Sequence, residues 1–447
     1  MLKLHFPHPL ALLVGCILVA AALSYILPAG QYERRDDPET GRKVVVAGTY
    51  SAVASSPVGP FEAFVAIPRG MADAGSVIFL VFLIGGSFTV VDRTGTLARA
   101  VDWLVRRLRH REALVIPTIS VAFALGGALE NMREEVIALV PVLLVLTRRL
   151  GFEAITAVSM SIGAAAVGAA FSPINPFQVG IAQKLAEIPM LSGSLFRLGF
   201  LVPALVIWIW GTMRYAARTR TVQCREDQDQ SGSLGLRHGL ILMLLVVTFM
   251  VLAFGVLRLA WHFEQMSALF FVMGASAGLI GRLHLAGTAE AFVEGFKSMA
   301  YAGLLIGFAR AIYIVLDQGR IVDTIVHALF APIALLPAHL SALGMMVVQT
   351  AVHFPVPSVS GHAVLTLPVL VPLSDLLGLP RQVTVLAYQY GAGLCELLTP
   401  TNGALMAILA TAGVRYEQWL KFALPLYLAL SILGMIAIYL GISIKLK

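Results

Sequence analysis

Charge is scarce in this sequence. Aspartate, glutamate, lysine and arginine make up 13% of its 447 residues, against about 25% in an ordinary soluble domain, while 58% of the residues are hydrophobic. Such a chain cannot turn a water-facing surface in every direction, which excludes a free-standing soluble protein. Cysteine is scarce too: Cys16, Cys224 and Cys395 stand far apart with no metal or redox spacing, so neither a disulfide framework nor a bound metal is expected. No HExxH zinc motif and no nucleotide-cradling glycine loop occurs. A membrane enzyme therefore ranks last among the function classes, a pump driven by the chain's own ATP hydrolysis is removed, and no cofactor is expected.

What the chain does have is apolar length. Runs near the roughly 20 residues that cross a bilayer as helix recur from "PLALLVGCILVAAALSYILP" onward, so an all-α polytopic membrane protein is expected. Lys3 before the first run imitates a secretory signal, but the apolar stretch is too long and no small-residue cleavage site follows. Residues 9 to 28 read as a retained helix. The net charge of +7 does not imply nucleic acid, because the basic residues gather in Arg93 to Arg111, in Arg148 with Arg149, and in Arg214 to Arg237. The positive-inside rule sets these loops in the cytoplasm. Residues 30 to 74 mix both signs and are set outside, which leaves the N-terminus cytoplasmic.

The chain resembles itself. "VIALVPVLLVLTRRLGF" (136 to 152) is similar to "AVLTLPVLVPLSDLLGL" (363 to 379), and "SPINPF" (172 to 177) to "TPTNGA" (399 to 404). Pro141 and Pro368, Gly151 and Gly378, Pro173 and Pro400, and Asn175 and Asn402 all lie 227 positions apart. Leucine and valine match by chance in any membrane helix; proline, glycine and asparagine at one offset do not. Upstream, "FLIGG" (82 to 86) pairs with "LLIGF" (304 to 308). An amphipathic segment precedes each matched region: Leu97, Val101, Leu104, Val105 and Leu108 in the first, and Ile321, Val322, Ile325, Val326, Leu329 and Phe330 in the second. The first is dense in arginine and the second carries only Arg320, so the two should lie on opposite membrane surfaces.

This reading predicts two inverted-topology repeats. The first covers 1–216, with a re-entrant helical hairpin at 113–147 and a broken helix at 151–186. A cytoplasmic loop at 217–236 follows, then the second repeat at 237–447, with a hairpin at 338–374 and a broken helix at 380–412. The remaining helices are expected near 10 to 28, 75 to 92, 196 to 214, 237 to 257, 266 to 282, 298 to 316 and 421 to 441. A hairpin is required because Arg111 precedes the first segment and Arg148 follows it, both cytoplasmic.

The hairpin tips and the breaks carry the chemistry. "ALENMREEVIALVP" sets Glu130, Asn131, Arg133, Glu134 and Glu135 at the first tip. Four uncompensated charges at the bilayer centre would cost roughly 10 kcal/mol, so they must be paired, hydrated or engaged with a ligand. One guanidinium can neutralise part of the cluster; the surplus acid invites a proton, a cation or an amine. Pro357, with Ser358, Ser360 and His362, marks the second tip. Pro173, Pro176 and Pro400 interrupt apolar helices, freeing carbonyls for a cation and exposing half-helix amino termini that suit a carboxylate. Ser172, Asn175, Thr399, Thr401 and Asn402 are the polar contacts expected there. Glu396, a carboxylate inside an apolar helix, is a functional candidate. For His353 and His362 a structural hydrogen bond weighs more than titration. Arg310 either pairs with Asp317 or snorkels.

At "ILPAGQY", "GTY", "LIGGSF", "NPFQVGIAQ", "PSVSGHAVLTLP", "LGLPRQ" and "PTNGALMA" the chain resembles the YfcC family. That family is related to the anaerobic four-carbon dicarboxylate carriers of the DcuC type within the ion transporter superfamily. The resemblance implies a bacterial inner-membrane secondary carrier with inverted repeats, re-entrant hairpins, elevator-like movement of the hairpin-bearing domain, and a scaffold able to form a homodimer. The chain departs from the family pattern at Val359 to His362, at Ala392, and at Asn131 and Arg133, which leaves the ligand open.

The function expected is a secondary active transporter or exchanger, coupled to Na+ or H+, for a small carboxylate-bearing solute. An amino acid is preferred, because surplus acid and helix amino termini suit charges of both signs; a C4-dicarboxylate or other short organic acid is the alternative. A passive channel is the alternative of another class. Its partners would be the solute, the coupling ion and the lipid bilayer, with no metal beyond a transient Na+.

Overall fold

The computed structural model describes residues 9–37, 42–46, 48–97, 99–100, 114–130, 134–220, 235–259 and 261–446. Helix α1 (Pro9–Ile26) leads into short strands β1 (Gly30–Gln31), β2 (Arg34–Asp37), β3 (Arg42–Val45) and β4 (Ser51–Ala52), paired antiparallel as β1 with β4 and β2 with β3. Next come α2 (Pro60–Asp73), α3 (Gly75–Arg93), and the pair α4 (Val115–Glu130) and α5 (Glu134–Arg149). The first interrupted span consists of α6 (Ala154–Val158), a π-helical turn (Ser159–Gly163), α7 (Ala164–Ala170), a second π-helical turn (Pro176–Gly180) and α8 (Ile181–Leu185). Then follow α9 (Ser194–Thr219), α10 (Leu236–Leu259), α11 (Phe263–Ile280), α12 (His284–Gln318) and α13 (Val322–Phe330). The pair α14 (Ala338–His353) and α15 (Val359–Leu376) precedes the second interrupted span, α16 (Arg381–Cys395) and α17 (Gly403–Thr411), and α18 (Tyr416–Ser443) closes the chain.

Among the described residues, α3, α9, α11, α12 and α18 are each long and apolar enough to cross a membrane. The protein is an all-helical, multi-pass membrane protein. One helix departs from expectation: α12 begins at His284 rather than near 298, and its 35 residues span about 52 Å at 1.5 Å per residue. The polar stretch before residue 298 contains no proline, and it buries Ala291, Phe292 and Gly295, so the helix continues through it.

Helices α3 and α12 run antiparallel. Arg93 pairs with Glu294 at one end, Gly85 meets Met299, and Gly303 meets Ile78 and Phe82 further along. The backbones touch: a β-carbon on Gly295 would fall 2.5 Å from the Gly86 Cα. The run Gly274-Ala-Ser-Ala-Gly278 has the spacing of a hydrolase nucleophile elbow, but it lies inside α11 rather than in a strand-to-helix turn. Its glycines let α11 approach Ser87 and Thr288.

The strands form a latch over the C-terminal end of α12. The Tyr32 N–H donates to Asp323 at 2.9 Å, Arg34 pairs with Asp323 at 2.8 Å, and the Gly30 N–H donates to the Arg320 carbonyl at 3.0 Å. The Tyr50 ring stacks on His327 at 4.1 Å. Burial, and then the Asp323 carboxylate and Tyr50, push the Tyr32 phenol up to about 12. The two stretches that charge distribution puts on one outer face are thus in contact. In α13, Val322, Val326 and Phe330 are buried as the amphipathic pattern predicts; of its counterpart, Val101, Leu104, Val105 and Leu108 lie outside the described residues.

The two helix pairs, α4 with α5 and α14 with α15, occupy the stretches expected to be hairpins. In the second, Gln349 and His353 of α14 face Thr366 and His362 of α15. In the first, Val115 and Ile116 at the start of α4 share a core with Leu146 and Leu150 at the end of α5. Each pair then stops in the same way. Gly151 and Gly378 adopt φ of 76° and 66°, a left-handed conformation that costs a residue with a β-carbon more than it costs glycine. The next N–H reaches back five residues, from Phe152 to Thr147 at 2.8 Å and from Leu379 to Ser374 at 2.9 Å. This is the hydrogen-bond pattern of a Schellman stop, repeated at the two glycines that lie 227 positions apart in the sequence.

Candidate functional site

The interrupted spans form the centre of the molecule. Every residue of α7 is buried, and so is every residue of α16 from Gln382 onward, the polar Gln382, Thr384 and Gln389 included. They cross at small residues. A β-carbon on Gly393 would fall 2.9 Å from the Ala170 Cα, and the Phe171 and Tyr390 rings lie 4.7 Å apart. Amides join the two spans: Gln389 Nε2 donates to the Ser172 carbonyl at 2.8 Å, and Gln178 Nε2 to the Gln389 carbonyl at 3.1 Å.

Each break is tied to the end of the hairpin arm beside it. At the first, the Ser172 hydroxyl donates to the Ala128 carbonyl at 2.6 Å, and Asn175 Nδ2 donates to the Gly127 carbonyl at 2.8 Å. These are carbonyls at the C-terminal end of α4, where no intrahelical donor remains. At the second, the Thr401 hydroxyl donates to the Phe354 carbonyl at 2.6 Å, just past α14. The matched asparagines do the same local work. Asn175 Oδ1 accepts from the Phe177 and Gln178 N–H groups at 3.0 and 2.9 Å, and Asn402 Oδ1 accepts from the Leu405 N–H at 3.2 Å. Both therefore cap the half-helix that restarts after the proline.

Around the second break runs a buried polar line. His353 Nε2 lies 2.5 Å from Glu396 Oε1, and His353 Nδ1 lies 3.2 Å from His362 Nδ1. His362 Nε2 contacts Gln349 Oε1, and Asn402 Nδ2 donates to Glu396 Oε2. Thr399 Oγ1 lies 3.6 Å from the Cys395 sulfur. His353, His362 and Gln349 are fully buried, and Glu396 is 3% exposed. A carboxylate and two imidazoles held together out of water constitute the strongest concentration of titratable chemistry among the described residues.

The second hairpin tip opens onto a cleft of about 320 Å³ lined by Val356, Pro357, Ser358 and Gly361, with Arg34, Arg310 and Asp317 opposite. Ser358 caps α15, accepting from the Gly361 N–H at 3.3 Å. Arg310, expected to pair with Asp317 or to snorkel, pairs with Asp73 and lies 5.2 Å over the Tyr313 ring. The long α12 carries it alongside the end of α2. At the first tip, Glu130 closes α4, and Glu134 and Glu135 open α5. The side chains of these three and of Ser360 and Pro176 lie outside the described residues, as do Asn131 and Arg133 altogether.

Two features differ from what the sequence suggested or pass unseen in it. Carbonyls that the helix breaks open are already engaged: Ser172, freed by Pro176, by Gln389, Leu397 by Trp419 Nε1 at 2.7 Å, and Leu398 by the Tyr416 hydroxyl. A buried carbonyl left open would be destabilising, and α18 supplies the donors. Arg197 was not singled out, although its charge within "SLFRLGFLVP" was a signal. It is fully buried and donates to Gln389 Oε1 at 2.8 Å, Gln382 Oε1 at 2.7 Å and the Ser192 carbonyl at 2.7 Å. These partners are neutral, so a positive charge stands beside the crossing.

The chain is a membrane transporter in class, as its sequence relatives show. The chain matches the C4-dicarboxylate anaerobic carrier (DcuC) family over residues 6–443 and belongs to it. It is 34% identical over 403 residues, covering 85% of this chain and 79% of the relative, to YfcC of Escherichia coli (strain K12), provisionally named a basic amino acid antiporter. It is 29% identical over 497 residues, covering 98% of this chain and 97% of the relative, to an uncharacterized protein of Haemophilus influenzae (strain ATCC 51907 / DSM 11121 / KW20 / Rd). Among solved structures, the Alcanivorax borkumensis YdaH transporter aligns with a TM-score of 0.46 at 17% identity over 98% of this chain and 99% of its own. Neisseria gonorrhoeae MtrF aligns with a TM-score of 0.40 at 15% identity over 99% and 96%.

Proposed function

We propose that the protein is a secondary active transporter or exchanger of the bacterial inner membrane, moving a small carboxylate-bearing solute, with an amino acid preferred. The observation that carries this reading is the tie between each hairpin end and its break, with the first break joined to the second interrupted span through Gln389. Such an arrangement lets one bound solute touch both halves. The antiparallel course of α3 and α12 and the matched Schellman stops support two inverted repeats at 1–216 and 237–447, joined by a cytoplasmic loop at 217–236. Arms of 16 residues reach about 24 Å, short of a roughly 30 Å hydrocarbon core, which supports a re-entrant course. The cytoplasmic N-terminus follows from the loop charges, and elevator-like movement and a homodimeric scaffold come from the family resemblance.

Charges of both signs favour an amino acid. Arg34, Arg310 and Asp317 share the cleft, Arg197 and Glu396 are buried near the crossing, and the first tip adds Glu130, Glu134 and Glu135. The acid there would suit a basic side chain, in keeping with the name given to the Escherichia coli relative. The family description favours a C4-dicarboxylate, and the two cleft arginines are what would hold one. Binding measured in detergent across amino acids and short dicarboxylates, with and without sodium, decides between them. Saturable binding of an amino acid is expected; a panel with no saturable ligand, or non-saturating flux through liposomes, would sink the carrier.

A further inference from the structure

The coupling ion of that carrier can be read from the second break. A dehydrated sodium ion needs open oxygens, and among the described residues seven backbone oxygens at the breaks and hairpin ends already accept hydrogen bonds. Leu397, Leu398 and Thr399 accept from Trp419, Tyr416 and the Asn402 N–H; Ser172, Ala128, Gly127 and Phe354 accept from Gln389, Ser172, Asn175 and Thr401.

Beside them stand three contacts that need hydrogens. The Thr366 hydroxyl donates to the His362 carbonyl at 2.9 Å, so Thr366 Oγ1 accepts from Gln349 Nε2 at 3.2 Å. That turns Gln349 Oε1, an acceptor, toward His362 Nε2, which must carry a hydrogen. The Nδ1–Nδ1 contact between His362 and His353 needs a second, and the His353–Glu396 contact a third. Two neutral imidazoles supply only two. The third is a proton on Glu396, or, by the same count, one that makes an imidazole cationic against the carboxylate. This arrangement is the one that a protonated line satisfies. Loss of that proton leaves two lone pairs facing each other at one contact, in surroundings where an unmade hydrogen bond is costly.

We propose that the line His362–His353–Glu396 is the proton-coupling site, binding one proton that is released to water when the end of α14 separates from the second break. The proposal rests on the carrier reading above. The Glu396 end of the line reaches a small cavity, and its His362 end is fully buried one residue from the cleft. Gly361, next to His362, lines the outer cleft. Glu396 and Asn402, with Ile162, Gly163, Ala166 and Trp419, line a cavity with room for about one water molecule. The titratable and charged groups facing the line are Cys395 of α16, Tyr388 edge-on to His362, Tyr416 of α18, and, across the cleft, Arg34, Asp317 and Arg310, the last paired with Asp73.

The test has two arms. Purified protein without solute, titrated by infrared difference spectroscopy, is expected to show a protonated-carboxyl band that disappears as pH rises and is missing from Glu396→Gln. His353→Asn should shift both the band and its midpoint. If Glu396→Gln does not fold, Glu396→Asp keeps the carboxyl and should move the band. A spectrum in which neither a protonated-carboxyl band nor an imidazolium band titrates, or bands that none of these variants alters, overturns the proposal. In liposomes, uptake of labelled arginine, lysine or succinate should follow an imposed pH gradient in wild type and lose that drive in Glu396→Gln. Uptake driven by sodium and indifferent to the pH gradient overturns proton coupling and leaves the carrier standing. Failure of all three solutes counts against the proposed function alone, because the infrared arm needs no cargo.

Discussion

Gln389 binds two things at once: its amide N–H donates to the Ser172 carbonyl at 2.8 Å, and its amide oxygen accepts from Arg197 Nε at 2.8 Å. One side chain thus fastens the two interrupted spans and holds the buried guanidinium beside them. Replacing it with leucine leaves a carbonyl unpaired and takes one acceptor from a buried charge. Gln389→Leu should lower stability by about 1.5–3 kcal/mol, read as a lower thermal midpoint in detergent. An unchanged midpoint would mean that the crossing is held by packing alone.

The glycine contacts behind each break predict a steric failure. A β-carbon on Gly168 would sit 2.1 Å from the Ala124 carbonyl oxygen, and one on Gly391 2.4 Å from that of Met346. In each case the obstacle is backbone, which cannot rotate away. Gly168→Val and Gly391→Val should prevent a monodisperse protein from forming, whereas Gly199→Ala, with open space around it, should not. Normal elution of either valine variant by size exclusion would show that the arms are free to separate.

The opposite orientation proposed for the two halves predicts opposite accessibility of their tips. In a background with Cys16, Cys224 and Cys395 replaced, Asn131→Cys should be labelled from the cytoplasmic face. Ser358→Cys, which lines the cleft with Arg34, should be labelled from the outer face. Labelling of both from one face would end the inverted arrangement.

Asn402 caps α17 and steadies Glu396 through its other end. Asn402→Ala should cost about 1 kcal/mol of helix stability and abolish solute uptake while membrane insertion is retained. The same loss is expected for Glu134→Gln. Wild-type uptake by either variant removes that residue from the site.

The helices were legible because bilayer thickness imposes one length on every span, and the breaks because proline removes a donor that an apolar surrounding cannot replace. Gly151 and Gly378 were legible as a pair, and their shared left-handed turn explains why glycine stands at both. Other features left no local trace. Nothing in "ELLTP" indicates that Trp419 and Tyr416, some twenty positions on, occupy its carbonyls, since a donor from another helix is a tertiary fact. Gln349 and Gln389 read as ordinary polar residues until the fold sets them opposite His362 and Ser172. The start of α12 was missed because mean hydropathy falls there while helix-forming preference does not.

The strand latch has a mechanical meaning. By gripping Asp323, Arg320 and His327, the ribbon anchors the end of the longest described helix like the cap on a post. In the carrier proposed above, any displacement relative to that anchored end must be absorbed elsewhere. The short turn at Val356, Pro357 and Ser358, which opens onto the space beneath that ribbon, is where such a hinge would have to bend.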